Sequence, residues 1–387
     1  MNDNYKRYSE YFLLTVLIII PKIDLINFAD IWQGIRLEDL VVLYLLYILI
    51  YYKKVAINKE DVGYNFIIYF FILFISCLIA FMYFDQKWIL IIRYIEYIVV
   101  IIYFNRNLIN IETIFKILKL YLLINLVMVI LQHLSLIGEF SSIGYESPFE
   151  KTDDRPTGLA GGPWELANCT AIIFFCLLMD KKQSKYSKYL YSLIALFLIY
   201  MTHSRTVILA LSIVLVFYTL QNHVSRRQLI PGLLILLLGS LIGYFNIFQV
   251  SNIDSVYSQI PKLLIEGIGA QGPINYDDLD GRLWSVAIRI NHWVQYYGYY
   301  TTNVITQIFG VGALGFYMES TPLRILFGTG IVGVIFVIYS IRTIPMNMLL
   351  YLFISGLTLD LMMSFKIFFT VFIYFYLIKN IGYENRN

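Results

Sequence analysis

Residues 64–84 read YNFIIYFFILFISCLIAFMYF, without one Asp, Glu, Lys or Arg. A helix needs about 20 apolar residues to cross the hydrocarbon of a bilayer, and inside that layer the backbone must satisfy its own polar groups. Runs of the same kind recur near 11–28, 36–52, 88–104, 113–134, 164–179, 187–202, 205–220, 230–249, 321–341, 346–359 and 362–378. The expected fold is all-α, a polytopic membrane bundle of about 12 spans, forming a single domain over residues 1–387. Composition agrees: 59% hydrophobic residues, 14% charged residues and a mean hydropathy of +0.69 do not describe a water-soluble globular domain. Residues 1–10 are too polar for a signal peptide, and no small-residue cleavage site follows a short apolar core, so the first apolar stretch is expected to be a retained span.

Basic residues orient the bundle, because short cytoplasmic connections collect Lys and Arg. With Lys6 and Arg7 inside, the same side receives Lys53, Lys54, Lys59, Arg106, Lys116, Lys119, Lys181, Lys182, Lys185, Lys188, Arg226, Arg227, Arg342 and Lys379. Both termini are then cytoplasmic, and the long polar connections 138–163 and 250–320 lie outside. Within the second, 252–266 has apolar residues at helical spacing, 267–281 is turn-rich and acidic, and 282–300 resumes a helical pattern. A helical cap over the bundle is expected. Arg155, Arg205, Arg282, Arg289 and Arg324 all fall on this external side. An external basic cluster on a protein embedded in lipid needs an anionic partner.

The segment Arg155-Pro156-Thr157-Gly158-Leu159-Ala160-Gly161-Gly162-Pro163-Trp164-Glu165 cannot form a continuous helix through its glycines and prolines, which leaves backbone N–H groups to face a ligand beside Arg155. A tight loop whose arginine pairs with Asp153 or Asp154 is the plainer alternative. In Thr202-His203-Ser204-Arg205-Thr206 an arginine is squeezed between two apolar runs, a position costing about 2.5–3.5 kcal/mol unless it faces a cavity or a partner. His203 there is more simply a histidine satisfied at a helix end. The third constellation is Asp280-Gly281-Arg282-Leu283-Trp284, followed by Arg289 and His292, then Gly310-Val311-Gly312 and Glu319-Ser320. Arg282 and Arg289 share one helix face with His292 a turn beyond, so two guanidiniums could clamp phosphate oxygens while a neutral imidazole takes a proton. The competing reading is a solvated amphipathic helix whose arginines pair with Asp277, Asp278 and Asp280.

Other features are structural in expectation. Cys77, Cys169 and Cys176 sit in apolar runs as small packing residues, and the four histidines show no zinc or iron spacing. Most of the 33 tyrosines suit the headgroup layer. Arg93 and Glu96, one turn apart, are expected to neutralise each other, while Arg36, Glu38 and Asp39 are expected at headgroup level. Gly239 and Gly243 form a small-residue packing face.

Taken in order, the Arg155-Pro156-Thr157-Gly158 segment before a span, Thr202-His203-Ser204-Arg205 opening another, a late external loop carrying Arg282 and Trp284, the Phe309-Gly310-Val311-Gly312 motif, Glu319-Ser320 and a Gly330-Ile331-Val332-Gly333 span resemble the O-antigen polymerase and O-antigen ligase superfamily. The resemblance implies a bacterial inner-membrane glycosyltransferase that needs no metal or other cofactor. Arg155, Arg205 and Arg282 would carry the family's essential external arginines. With His292 they form the expected catalytic set, while Arg289, Arg324, Glu319, His203, Gly158 and Trp284 are expected to contact substrate. The ligases show a histidine at a set distance before a glycine motif, and the gap from His292 to Gly310 departs from it, which favours a polymerase.

The expected activity is polymerisation of O-antigen or capsular repeat units. The glycan passes from undecaprenyl diphosphate to the non-reducing end of a new lipid-linked repeat on the external face. Membrane lipid surrounds the chain, a chain-length regulator is a further expected partner, and nucleic acid is not. A ligase acting on lipid A-core shares the donor chemistry. A lipid-linked oligosaccharide flippase, the rival of another class, would show charges distributed through the spans and symmetry between halves.

Overall fold

The structure, a computed structural model, describes residues 3–21, 24–28, 33–52, 62–86, 88–106, 110–138, 155–180, 182–221, 284–314, 318–341, 344–357, 359–361 and 364–384. Among them the chain is mostly helical, with 13 helices and one small hairpin. Helix α1 (Asp3–Ile19) leads into the antiparallel strands β1 (Asp24–Phe28) and β2 (Gln33–Arg36). Helices α2 (Leu37–Tyr52), α3 (Val62–Ala80), α4 (Trp88–Arg106), α5 (Ile111–His133), α6 (Pro163–Leu178), α7 (Lys185–Met201) and α8 (Arg205–Gln221) follow. After the central stretch come α9 (Trp284–Tyr300), α10 (Val304–Phe309), α11 (Thr321–Ile341), α12 (Met346–Gly356) and α13 (Phe365–Glu384). The apolar runs therefore coincide with helices, except that the first begins earlier and ends at Ile19, because residues 24–28 turn back as a strand. The run at 230–249 lies outside the described residues.

Local chemistry sets the helix starts. Asn110 accepts from Glu112 N at 2.8 Å to open α5, Ser184 accepts from Ser187 N at 3.3 Å to open α7, and Pro163 stands in the first turn of α6, where a missing N–H costs nothing. Asn303 and Thr306 form a reciprocal capping box on α10. Two helices among the described residues, Ile111–His133 and Thr321–Ser340, are long and apolar enough to cross a membrane, and Tyr64–Ala80, Pro163–Leu178, Arg205–Phe217 and Met346–Gly356 are shorter apolar helices.

Contacts group the chain into two compact units, each assembled from segments far apart in sequence. The first comprises Met1–Phe70, Lys87–Ile208 and Leu361–Asn387, and the second Phe71–Gln86 and Leu209–Asp360. In the first unit an aromatic core joins α3, α4 and α13, with Tyr97 stacked on Phe368 at 4.5 Å and Phe104 set edge-on to Phe369 and Phe372. In the second, Tyr296, Val311, Leu314, Met318 and Phe327 form the core.

The second unit also contains a broken helix. At Gly330 the backbone of α11 leaves helical geometry (φ 64°, ψ −165°). The interruption releases carbonyls, and the extended stretch after α10 takes them up: Val311 N donates to Phe327 O at 2.7 Å and Gly312 N to Gly328 O at 3.0 Å. Gln86 fastens the other edge, accepting from Ala313 N at 3.0 Å and donating to Val311 O at 3.2 Å. Only glycine permits so close a crossing. A Cβ on Gly310 would lie 2.3 Å from Gly328 O, and one on Gly330 would lie 2.4 Å from Ile308 O.

Gly330→Ala should destabilise the protein by about 1–3 kcal/mol, because it combines a left-handed φ with a backbone collision. Gly298→Ala, on α9 with no neighbour within 4 Å, should instead stabilise it. Thermal unfolding of the purified variants checks this, and equal shifts for the two would contradict the crossing.

Candidate functional site

The loop that begins at Arg155 is pinned from three helices of the first unit. Gln132, in the last turn of α5, accepts from Thr157 N at 3.1 Å and Gly158 N at 2.7 Å, and donates to Gly158 O at 3.1 Å. Asn125, two turns earlier on the same face of α5, accepts from Leu159 N at 2.9 Å. Lys366, in the first turn of α13, donates its ammonium to Leu159 O at 2.6 Å. The Glu165 carboxylate receives both Gly161 N and the hydroxyl of Ser364. These partners correct the expectation that the glycine turn leaves its N–H groups to a ligand, since the amides of Thr157, Gly158, Leu159 and Gly161 are answered within the protein. Gly158 serves close packing: at φ 56° its Cβ would lie 2.3 Å from Asn125 Oδ1. What the fixed loop presents is Arg155 itself, half-buried with its Nε shielded from solvent.

Lys366 and Glu165 are each only 3% exposed. The charges acting on Lys366 include Glu165, Glu38 and Arg36, which connects the loop with a second ionic group. There Arg93 on α4 meets Asp39 at 2.5 Å and Glu96 at 3.2 Å, Arg36 meets Glu38 at 3.4 Å, and Arg36 N donates to Asp39 at 2.8 Å. Arg93 is thus bound more closely to α2 than to its own helix neighbour. Arg36, Glu38 and Asp39, expected at headgroup level, are buried against other protein groups. The shared partner explains it: a guanidinium inside apolar packing draws carboxylates from the adjacent helix.

These groups lie at one end of the helices. Arg36 to Asp39 open α2, Arg93 lies in the second turn of α4, Gln132 ends α5, Glu165 opens α6 and Lys366 opens α13. The opposite end, where α5 begins and α6 finishes, carries separate pairs, Lys119 with Asp180 at 3.0 Å and the exposed Lys182 with Glu112 at 2.7 Å.

Helices α7 and α8 are joined by residues 202–204 alone. Thr202 Oγ1 donates to Ile199 O at 2.7 Å and accepts from Ser204 N at 3.3 Å. His203 is exposed in the left-handed region at φ 50°, its ring 5.8 Å from that of Tyr200. Arg205 follows as the exposed first residue of α8. A cation is electrostatically disfavoured there, because the N-terminus is the positive end of the helix dipole.

In the second unit, Arg289 Nε bonds Glu319 at 2.5 Å, and half-buried His292 follows one turn later on α9. Arg324, expected to contact substrate, is 1% exposed and bonds Asp360 at 2.8 Å and the Tyr296 oxygen at 2.8 Å. Burial raises the pKa of the Tyr296 hydroxyl, with the nearby guanidinium partly opposing, so it stays neutral as an acceptor. Arg324 is therefore a structural tie between α9 and the chain before α13. Trp284 is the first residue of α9, while Arg282, with Asp153, Asp154, Asp277, Asp278 and Asp280, lies outside the described residues.

Sequence reasoning overlooked Asn125, Gln132, Asp360, Ser364 and Lys366. Their signal is a polar residue interrupting or flanking an apolar run, which in lipid demands a partner. Among the described residues no group of three His, Cys, Asp or Glu is arranged to hold a metal ion. The buried cysteines pack as small residues, and Cys77 Sγ also accepts from Ala313 N at 3.2 Å. No protein-family model matches the chain, and no curated protein matches it.

Removing one member of the Arg324–Asp360 pair should be severe. Arg324→Met or Asp360→Asn alone should cost about 3–5 kcal/mol, because each leaves its partner's charge or polarity buried without compensation. The double variant should cost clearly less than the sum. Additive losses in the unfolding free energies would contradict a buried, coupled pair.

Proposed function

We propose that this chain is a membrane polymerase of lipid-linked oligosaccharide repeat units, with about 12 spans, both termini cytoplasmic and a helical cap formed by the 250–320 connection. The observation that carries the reading is Arg205 at the exposed N-terminus of α8: the guanidinium and the positive helix end both attract an anion and repel a cation. The second support is the fixed Arg155 loop. By the distribution of Lys and Arg, the helix ends that gather Arg155, Glu165, Lys366 and the Arg93 group are the external ones. That face has no nucleotide donor, so a lipid diphosphate is the fitting leaving group.

In the proposed reaction an acceptor sugar hydroxyl attacks the anomeric carbon of the donor glycan. The new C–O bond forms as the bond to the diphosphate oxygen breaks, and undecaprenyl diphosphate departs as the anion. The hydroxyl proton passes to a base, for which His292 is the candidate. Arg155, Arg205 and Arg282 stabilise the charge that grows on the diphosphate, and such differential binding is where the rate arises. Transfer to lipid A-core would use the same donor groups and differ only in acceptor.

A flippase for the same lipid-linked glycan is the second reading, favoured by the ionised groups buried within α2, α4, α6 and α13 and by the interruption of α11. Reconstituted protein separates the two. The polymerase reading expects a defined lipid-linked repeat to be lengthened without nucleotide, and movement of the repeat across vesicles without extension would replace it. Arg205→Ala and Arg155→Ala should each lower extension by about 10²–10³-fold while the protein still inserts, and Arg205→Lys should recover little because a point charge does not reproduce the fork. Normal polymer lengths from these variants would remove the arginines from the mechanism.

A further inference from the structure

Helix α9 presents Arg289, Trp293, Tyr296 and Tyr300 on one stripe, and each is fastened to the stretch that opens α11. Trp293 Nε1 donates to Met318 O at 2.6 Å, Tyr296 accepts from Arg324 at 2.8 Å, and the Tyr300 ring lies 5.2 Å from that of Phe327. Met318, Tyr296, Arg324 and Phe327 in these three contacts are buried. The fourth differs in kind. Arg289 and Glu319 are 26% and 32% exposed, so the pair is open to solvent and to competing ions. Glu319 also holds φ at 50°, a conformation that side chains with a Cβ adopt at a cost, between buried Met318 and Ser320.

We propose that Arg289 is an anion subsite in which the Glu319 carboxylate stands in for a substrate phosphoryl group and is displaced by it. This rests on the lipid-diphosphate reading above. A guanidinium accepts carboxylate and phosphate oxygens in the same fork geometry, so the resident carboxylate marks where a phosphoryl oxygen fits. A partly exposed pair is weak, whereas a diphosphate brings more negative charge and more acceptor oxygens to the same donors. The Trp293 bond to Met318 O and the bond from Thr321 N to Leu359 O hold the backbone on both sides, which confines the exchange to the Glu319 side chain. Until substrate arrives, the carboxylate occupies Arg289 against singly charged phospholipid headgroups. His292, one turn along α9, then lies beside the bound diphosphate.

The test is calorimetric titration of inorganic pyrophosphate into the full chain held in phosphatidylcholine nanodiscs. Glu319→Gln, which removes the competing charge, should bind about two- to five-fold tighter than wild type. Arg289→Gln should bind at least about ten-fold more weakly, as expected for loss of a charge-assisted fork. Glu319→Gly removes carboxylate and backbone strain together and should bind as Glu319→Gln does, which keeps the test available if the glutamine variant folds poorly. Embedding a polyprenyl diphosphate in the nanodiscs should weaken pyrophosphate binding in wild type, and phosphatidylglycerol should not. Equal competition by phosphatidylglycerol would overturn the assignment to a lipid diphosphate. Unchanged affinity in Glu319→Gln and Glu319→Gly, accompanied only by altered stability, would make the pair merely structural and overturn the subsite. Chain extension measured on the same preparations keeps the two ideas apart: extension without these affinity changes retains the polymerase and rejects the subsite, and affinity changes without extension do the reverse.

Discussion

An ionised group withdrawn from water must find its compensation inside the protein, and this requirement organises both units. Lys366 illustrates it. Its ammonium is almost wholly enclosed, so the fold supplies the Leu159 carbonyl at 2.6 Å and brings Glu165 and Glu38 into its field. Those same contacts fix the glycine loop that carries Arg155. Arg93 acts likewise on α2, and Arg324 joins α9 to the residues before α13. Replacing such ionic ties with hydrocarbon would often be neutral for stability, whereas breaking one is costly. Within the first unit, the concentration of Lys366, Glu165 and the Arg93 group at one set of helix ends is therefore better explained by what that end does than by what holds the helices together.

Backbone geometry points to the same places. Three residues other than glycine have positive φ among the described residues, Ser135, His203 and Glu319. His203 precedes Arg205 and Glu319 bonds Arg289, so two of the three adjoin arginines singled out by sequence. Strain of this kind persists only where surrounding contacts over-determine the conformation. At His203 the constraint is a connection of three residues between α7 and α8, pinned by Thr202. At Glu319 it is the buried flank on either side. The glycine crossing between the stretch after α10 and the break in α11 is the complementary case, where missing side chains let two backbones share hydrogen bonds.

Much of the fold was legible because it depends on one-dimensional quantities. Apolar run length located α2 to α8 and α11 to α13 closely, and the turn chemistry of 202–204 and 155–163 announced short, irregular connections. The helical pattern after 282 reappears as α9. What failed depends on three-dimensional neighbours. Nothing in sequence says that Arg93 prefers Asp39 over Glu96, that Gln132 consumes the amides of the glycine turn, or that Arg324 finds Asp360. The interruption of α11 was also hidden, since Gly330 in an apolar run reads as tolerated helix until the 310–312 stretch is seen to lie against it. For the arginines the outcome divides by burial: Arg205, expected to face a cavity or a partner, is exposed at the start of α8, Arg155 is half-enclosed, and Arg324 is bound to Asp360.

The account depends on which side of the membrane receives the gathered ionic groups, because a nucleotide-free transfer from a lipid diphosphate belongs outside. Leu136, just beyond α5 at that end, is 66% exposed, and Tyr186, in the first turn of α7 at the other, is 88% exposed. The native cysteines are buried, so a single introduced thiol can be read by an impermeant maleimide. In intact cells Leu136→Cys should be labelled and Tyr186→Cys should react only after permeabilisation. The reverse pattern would put Arg155, Lys366 and the Arg93 group on the cytoplasmic side and contradict the proposed reaction.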